Sequence, residues 1–454
     1  MDKKVLVGTL ALILYLVFFL PFFHWDIKVQ AAITLVIIQM LWIGRVFPLA
    51  FSSILLILIL SFHFFSYEET LAYFSTDIVW LLFSTFIISK AFISTGLASR
   101  VSLKMLKLSG GSGRLLILFS FILMFVLSML IPSNVGKGSL VSSVLDRLVK
   151  SLDKIRQTEK LAKSLFIGIA YLVAISGAVV ATGASSTIYT FGLFSEVSPD
   201  LNYVKWLYYF VPPIFLFVGL LWLLLLYLFP PENIDRKHLM RLLDEKIIEL
   251  GRISLPEKKV MGIMAMTILL WTTHSWHGFS ISLIGLLSAA LTVLPVVGVW
   301  NWETAKKSID WDMMLFFAST LMVSGMLIKT GAIKWISGQL LDTLSGQSPL
   351  FIVFVLLICT ALLRIIFVNI LGFLSIMIPL AITIGQDIPD FSPLVVAMAV
   401  FLTGVPGFLL ITQSPVHLIS HSYGYFSETD LLKVGIPAAL IWLIVIITSL
   451  LFYW

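Results

Sequence analysis

Apolar runs of roughly 20 residues follow one another along this chain, and no other feature restricts its fold as strongly. A run of that length crosses a bilayer core of about 30 Å as a helix. The runs lie near 5–23, 27–44, 46–65, 77–95, 164–193, 204–229, 260–276, 279–298, 311–333, 393–420 and 434–453. They are continuous rather than alternating, which argues against a β-barrel. Only 12% of the 454 residues are charged and 59% are hydrophobic, too little charge to clothe a soluble protein of this size. The expected fold class is an all-α polytopic membrane protein. The first run follows Lys3 and Lys4, but Pro21-Phe22-Phe23-His24-Trp25 comes next, with no small-residue cleavage site. It is expected as a retained helix. A single cysteine, Cys359, leaves no intrachain disulfide or cysteine metal cluster.

The net charge of +6 falls mostly in three stretches. Arg100, Lys104, Lys107 and Arg114 form a basic loop. Arg147, Lys150, Lys154, Arg156, Lys160 and Lys163 form a second. The third, 232–259, reads as a helix joining two halves. The bias of lysine and arginine towards the cytoplasm places all three inside. Residues 115–148 then begin and end on the same side, as a hairpin would. Pro349 to Gln386, with weakly charged ends, reads as a second hairpin entering from outside. The count expected is about 11 spans and two hairpins, with the N-terminus inside and the C-terminus outside.

The tip of the first hairpin is Ile131-Pro132-Ser133-Asn134-Val135-Gly136-Lys137-Gly138-Ser139. Irregular backbone survives at membrane depth only where protein or a wet cavity satisfies it. A lysine there is costly and marks a functional site unless it snorkels to water or pairs with backbone carbonyls. A second polar interruption, Thr182-Gly183-Ala184-Ser185-Ser186-Thr187, breaks the span at 164–193.

The two halves share a register. Asp77 and Asp312 differ by 235 (312 − 77), and so do Ser84 and Ser319, Ser89 and Ser324, Gly96 and Gly331, and Asn134 and Asn369. An odd number of spans separates the halves, so the copies face opposite ways. Inverted repeats with a broken segment in each point to a secondary transporter.

At these residues the chain resembles the divalent anion:sodium symporter family. Members carry Ser-Asn-Thr in two hairpin tips and Thr-Pro-Pro-Asn-like turns in two broken helices. Here Ser133-Asn134-Val135 and Val368-Asn369-Ile370 stand for the first pair. Ala184-Ser185-Ser186-Thr187 and Ser414-Pro415-Val416-His417 stand for the second. Val135 and Ile370 replace the threonines and Val368 replaces one serine, so three hydroxyls are missing. The resemblance implies an elevator-type homodimer in the cell membrane that carries di- or tricarboxylates or sulfate, with sodium as the coupling ion and no other cofactor. It implies an N-terminal helix at 1–26 and repeats at 27–230 and 260–454 around a cytoplasmic linker at 231–259. Within the repeats, 27–112 and 260–345 would be scaffold, and 113–230 and 346–454 the transport part.

Candidate substrate contacts are Ser133, Asn134, Val135, Lys137, Asn369, Ile370, Ser185, Ser186, Ser414 and Pro415. For sodium they are Ser133, Asn134, Gly183 and Asn369. Either asparagine binds ion or anion, or it caps the helix where the hairpin turns. Lys137, as a functional residue, pairs with the anion or stands where a coupling sodium would sit. Helix N-termini at tips and breaks would face the anion with N–H groups. Arg364, five residues before Asn369, either steadies the second tip or attracts an anion. Lys90 is expected to snorkel, Asp77 and Asp312 to cap helices, and His417 to bond a helix break or titrate. Trp25, Trp42, Trp206, Trp300, Trp302, Trp442 and Trp454 suit the membrane interface. A small-anion transporter, by cation symport or exchange, is the reading that fits. The alternative is a sodium/proton antiporter or oxyanion exporter of the same superfamily. No HExxH, paired aspartates or nucleotide loop suggests an enzyme or a pump.

Overall fold

The structure is a computed structural model and describes residues 3–20, 24–154 and 157–454. Pro21 to Phe23 and Arg156 lie outside the described residues. Among the described residues every regular element is helical. Among the described residues, seven helices are long and apolar enough to cross a membrane: Ile27–Gly44, Asp77–Ser94, Glu159–Ala178, Tyr203–Leu228, Trp311–Lys329, Ile370–Asp387 and Glu428–Phe452. Leu49–His63, Gly113–Ser128, Ile281–Val293, Pro349–Leu363 and Pro393–Gly404 are apolar but shorter.

One succession of elements occurs twice. A short helix and a 3-10 turn precede a long helix at Tyr67–Ala72, Tyr73–Ser75 and Asp77–Ser94, and again at Trp302–Ala305, Lys306–Ser308 and Trp311–Lys329. Then Leu97–Lys107 corresponds to Ala332–Thr343, and Gly113–Ser128 to Pro349–Leu363. Gly96 and Gly331, matched in sequence, cap these helices with φ of 85° and 74°. That left-handed backbone is one only glycine adopts freely, so the shared register has a local cause. Asp77 and Asp312 lie inside the first turn of their helices, not at the cap. Asp310 is the cap of Trp311–Lys329, accepting from the Met313 amide at 2.9 Å.

The chain divides into two compact units, each taking segments from both halves. The first comprises Met1–Leu82, Tyr189–Pro199 and Asp310–Gly404. Within it, Trp311–Lys329 packs on Leu49–His63 and on Ile370–Asp387, and Pro393–Gly404 packs on Ile370–Asp387 and Pro349–Leu363. The Ser324 hydroxyl donates to Ser375 O at 2.9 Å and bonds the Tyr189 hydroxyl, a buried polar link among three segments.

The second unit comprises Phe83–Ile188, Asp200–Ile309 and Val405–Trp454. Its axis is Glu159–Ala178, apolar on every side and buried on every side from Ser164 to Ala178. A helix without a polar face belongs inside a protein. Gly113–Ser128, Asn134–Asp153 and Pro415–Ser422 pack around it. Trp206 and Trp442 are buried in this unit and Trp42 in the first, so these three are core residues rather than interfacial anchors. The Trp206 indole donates to the terminal carbonyl of Ala178 at 3.0 Å.

The stretch expected as a basic loop is largely the amphipathic helix Leu97–Lys107. It packs on the linker helix Arg236–Glu249. Arg100 is the anchor. Its Nε donates to Glu257 Oε1 at 2.6 Å and Nη2 to Oε2 at 3.2 Å. The same guanidinium donates to Gly251 O at 3.0 Å and Leu250 O at 3.1 Å, where the linker helix ends. Glu257 completes a capping box with Ser254 at the start of Leu255–Thr272. The hydrogen bond from Arg100 holds the Glu257 carboxyl below the ordinary carboxylate range, against the opposing effect of burial. A depressed folded value stabilises fully above the unfolded value of about 4.3 and is lost as pH falls through the folded one. Linker docking should therefore be intact at about pH 6 and weaken progressively as pH falls below about 4.3 and through the folded value. Hydrogen exchange over 231–259, corrected for intrinsic rate, should show protection lost in that window.

Candidate functional site

The first hairpin descends as Gly113–Ser128, turns through residues 129–133, and returns as Asn134–Asp153, longer than the return to Leu148 that the sequence suggested. Pro132 offers no N–H to a helix, and Ser133 is extended at φ −104°. The Ser133 hydroxyl accepts from the Gly136 amide at 3.1 Å, and its carbonyl accepts from the Lys137 amide at 2.9 Å. Ser133 is thus the cap of the return helix. Asn134 opens that helix, with its Oδ1 buried and, among the described residues, without a hydrogen-bond partner. Such an oxygen costs about 1–3 kcal/mol unless something binds it. Val135 is exposed.

Lys137 does not snorkel, being fully buried at 0% exposure. Its ammonium donates to Ser128 Oγ at 2.6 Å and to Gly183 O at 3.1 Å. Ser128 Oγ lies 2.9 Å from Ser176 Oγ. Among the described residues no carboxylate forms an ion pair with Lys137. Lys90 is exposed.

Gly183 belongs to the first break, residues 179–184, between Glu159–Ala178 and Ser185–Val197. The break thus begins before Thr182, and Ser185 opens the next helix while Ser186 and Thr187 lie within it. A Cβ on Gly183 would sit 2.5 Å from Gly177 O, so only glycine closes this turn. The freed carbonyl of Gly177 accepts from the Thr187 hydroxyl at 2.8 Å. A Cβ on Gly177 would stand 3.1 Å from Asn134 Oδ1 and 3.3 Å from Gly183 O. The tip therefore lies against the break, with the Asn134 amide and the Gly183 carbonyl on one side of Gly177.

The second break runs from 405 to 414, with the turn Ile411–Gln413 inside it. Gln413 Oε1 accepts from the amides of Leu409 and Leu410 at 2.8 and 2.9 Å. The Tyr171 hydroxyl, from the axial helix, donates to Leu431 O at 2.6 Å and lies 3.1 Å from Phe408 O. Ser414 caps the helix Pro415–Ser422, accepting from the Val416 amide at 3.3 Å. Pro415 suits the first helical position. His417 is buried with Nδ1 3.1 Å from Leu410 O, the role of a helix-break bonder. Pro415–Ser422 packs on the return limb of the hairpin, where a Cβ on Gly138 would stand 2.5 Å from Val416 Cγ1.

In the other unit, residues 364–369 connect Pro349–Leu363 to Ile370–Asp387, the stretch expected as a second hairpin. Arg364 ends the first limb, so no helix joins it to Asn369. It is 2% exposed, and its guanidinium donates to Gly404 O at 2.9 Å and to Phe367 O. It steadies this tip. Asn369 is a helix cap, its Oδ1 accepting from the amides of Leu371 at 2.9 Å and Gly372 at 3.3 Å. Ile370 begins the helix.

The second unit alone thus holds Ser133, Asn134, Val135, Lys137, Gly183, Ser185, Ser186, Ser414 and Pro415, with the tip touching the first break and the helix after the second. Three helices, Asn134–Asp153, Ser185–Val197 and Pro415–Ser422, begin at this tip and at these breaks. Their free N–H groups favour negative charge. Sequence reasoning missed Ser128, Ser176 and Tyr171. Only the polar atom that each adds to an otherwise apolar helix signals them.

A family model described as "Sodium:sulfate symporter transmembrane region" matches residues 3–454. A relative in Cupriavidus necator, named only "Membrane protein", is 23% identical over 390 residues, covering 85% of this chain and 76% of that protein. A protein of Staphylococcus aureus (strain bovine RF122 / ET3-1) named "Sodium-dependent dicarboxylate transporter SdcS" is 27% identical over 376 residues, 77% of this chain and 71% of that one. Among solved structures, the Alcanivorax borkumensis YdaH transporter superposes with a TM-score of 0.56 at 11% identity, over 84% of this chain and 86% of that chain. That likeness is one of fold.

Proposed function

The chain belongs to the sodium:sulfate symporter family, and on that premise we propose that it carries small divalent anions, dicarboxylates or sulfate, across a bacterial plasma membrane with sodium coupling. It is a multi-pass membrane protein and a transporter, not an enzyme. The observation that carries the reading is Asn134 Oδ1, buried and unpartnered where the first tip meets the first break. An amide oxygen is a fit ligand for a hard cation. The helix N-termini beside it suit the anion.

In this reading Ser133, Asn134, Val135, Lys137, Ser185, Ser186, Ser414 and Pro415 form the substrate contacts of one tip, and Asn369 and Ile370 those of the other. Inverted repeats, re-entrant hairpins and an elevator stroke of 113–230 and 346–454 against a dimeric scaffold of 27–112 and 260–345 complete the proposal. The recurring succession of elements supports the repeats. Asn369 supports less, since its oxygen already caps a helix.

Purified protein in liposomes should accumulate labelled succinate, citrate or sulfate when sodium is directed inward, and not with choline instead. No flux of any of the three would end this reading. Collapse of a sodium or pH gradient without anion movement would favour the antiporter. Asn134→Ala should raise the sodium half-saturation at least tenfold with little loss of thermal stability, since no hydrogen bond to that oxygen is lost. Asn369→Ala should instead lower stability by about 0.5–2 kcal/mol, the usual worth of a helix cap. Equal effects of the two substitutions on sodium affinity would show that the asparagines do not divide the work this way.

A further inference from the structure

We propose that the Lys137 ammonium is a built-in counter-cation, held on the Gly183 carbonyl where a coupling sodium would otherwise bind. The chain would then move its anion with one sodium fewer than the same protein lacking the lysine. The inference rests on the anion-transport reading above.

The ligands of the ammonium are a hydroxyl and a backbone carbonyl, Ser128 Oγ at 2.6 Å and Gly183 O at 3.1 Å. Neutral oxygens of this kind are what a hard metal cation takes. The side chain has no route to water, at 0% exposure. Among the described residues none of the ion pairs includes it, so no carboxylate cancels its charge within the fold. A buried cation needs a countercharge, and the divalent anion supplies one.

The oxygens expected to surround sodium agree. The Gly183 carbonyl accepts from Lys137, the Ser133 hydroxyl accepts from Gly136, and Asn369 Oδ1 accepts from two amides. Of these four, among the described residues, only Asn134 Oδ1 is uncommitted. A free amide oxygen on Asn134 and a fixed ammonium on Lys137, both at one tip, suit a site in which one of two positive charges belongs to the protein.

The second hairpin repeats the device in its own unit. Arg364 Nε donates at 2.9 Å to the carbonyl of Gly404, the last residue of Pro393–Gly404. Each hairpin thus sets a fully buried cation on a glycine carbonyl at the break of a helix from the same half of the chain. Carbonyls at a helix C-terminus carry partial negative charge, and either a side-chain cation or a metal ion is attracted there.

The test is sodium stoichiometry in the full-length protein. Equilibrium binding of sodium to wild type in detergent should saturate at no more than one ion per chain. Lys137→Met and Lys137→Ala should bind one more, and their unfolding temperatures should rise more steeply with sodium concentration. The sodium-to-anion ratio from reversal potentials in liposomes should increase by one, while Lys137→Arg keeps the wild-type ratio. Two or more sodium ions on wild type would overturn the proposal, whether or not any variant folds. So would folded Lys137→Met with wild-type stoichiometry, which would make the lysine a brace between tip and break. Absence of anion flux in every protein would instead overturn the transport reading, because sodium binding is read without flux.

Discussion

Arg100→Ala is expected to lower the unfolding free energy by about 3–5 kcal/mol, the cost of breaking a buried pair from one side. The substitution leaves the Glu257 carboxylate, 3% exposed, without its counter-charge. It also removes the donor to the Gly251 and Leu250 carbonyls that close the linker helix. The orphaned charge, rather than the lost attraction, is the larger part of that cost. The double substitution Arg100→Ala with Glu257→Gln should therefore be less damaging than Arg100→Ala alone. Lys246→Ala, which breaks an exposed pair with Glu249, should change stability by less than about 1 kcal/mol. Denaturant unfolding of the detergent-purified proteins decides the matter. An Arg100→Ala protein within 1 kcal/mol of wild type, or a double variant worse than the single, would remove Arg100 as the anchor of the linker.

Gly435→Ala is the second large effect. A Cβ at this position would stand 1.9 Å from the Phe408 carbonyl oxygen and 2.9 Å from the Tyr171 hydroxyl. The first contact is with backbone, which cannot rotate away, so the helix Glu428–Phe452 must back off or the second break must move. Overpacking of this kind costs about 1–3 kcal/mol or more. The Tyr171 bridge to Leu431 O and Phe408 O would be pulled apart with it. Transport should fall to background, because the cap of Pro415–Ser422 hangs from the same break. Gly219, in Tyr203–Leu228, has nothing within 4 Å of its would-be Cβ. Gly219→Ala should therefore be neutral, or stabilising by up to about 1 kcal/mol through its better helix propensity. Near-normal transport by Gly435→Ala would show that the break tolerates displacement.

The sequence foretold the all-helical, many-span character because apolar runs and their interruptions are written locally. A run of apolar residues, a proline, a pair of glycines or a serine before a helix start carries its own geometry. Hence the turn at 129–133 and the break at 179–184 overlap the stretches 131–139 and 182–187 that the sequence marked, whereas the second break starts at 405, nine residues before Ser414. What failed was partnership. Arg100 reads as one more basic loop residue until Glu257, 157 positions away, is found beside it. Trp42, Trp206 and Trp442 look like interfacial anchors because a tryptophan's burial depends on neighbours from distant segments. Asn134 and Asn369 were equivalent as letters. The fold gives one of them two amides to cap and leaves the other's oxygen bare.

Each compact unit draws on both halves, and this governs the order in which the nascent chain can settle. The first unit needs Asp310–Gly404 as well as Met1–Leu82, so it stays incomplete until the ribosome has passed residue 404. The second needs Val405–Trp454, made later still. A polypeptide halted in the linker has inserted its early helices yet owns no finished core. Its apolar flanks must wait in lipid, or in the grip of the insertion machinery, for strands of sequence not yet translated.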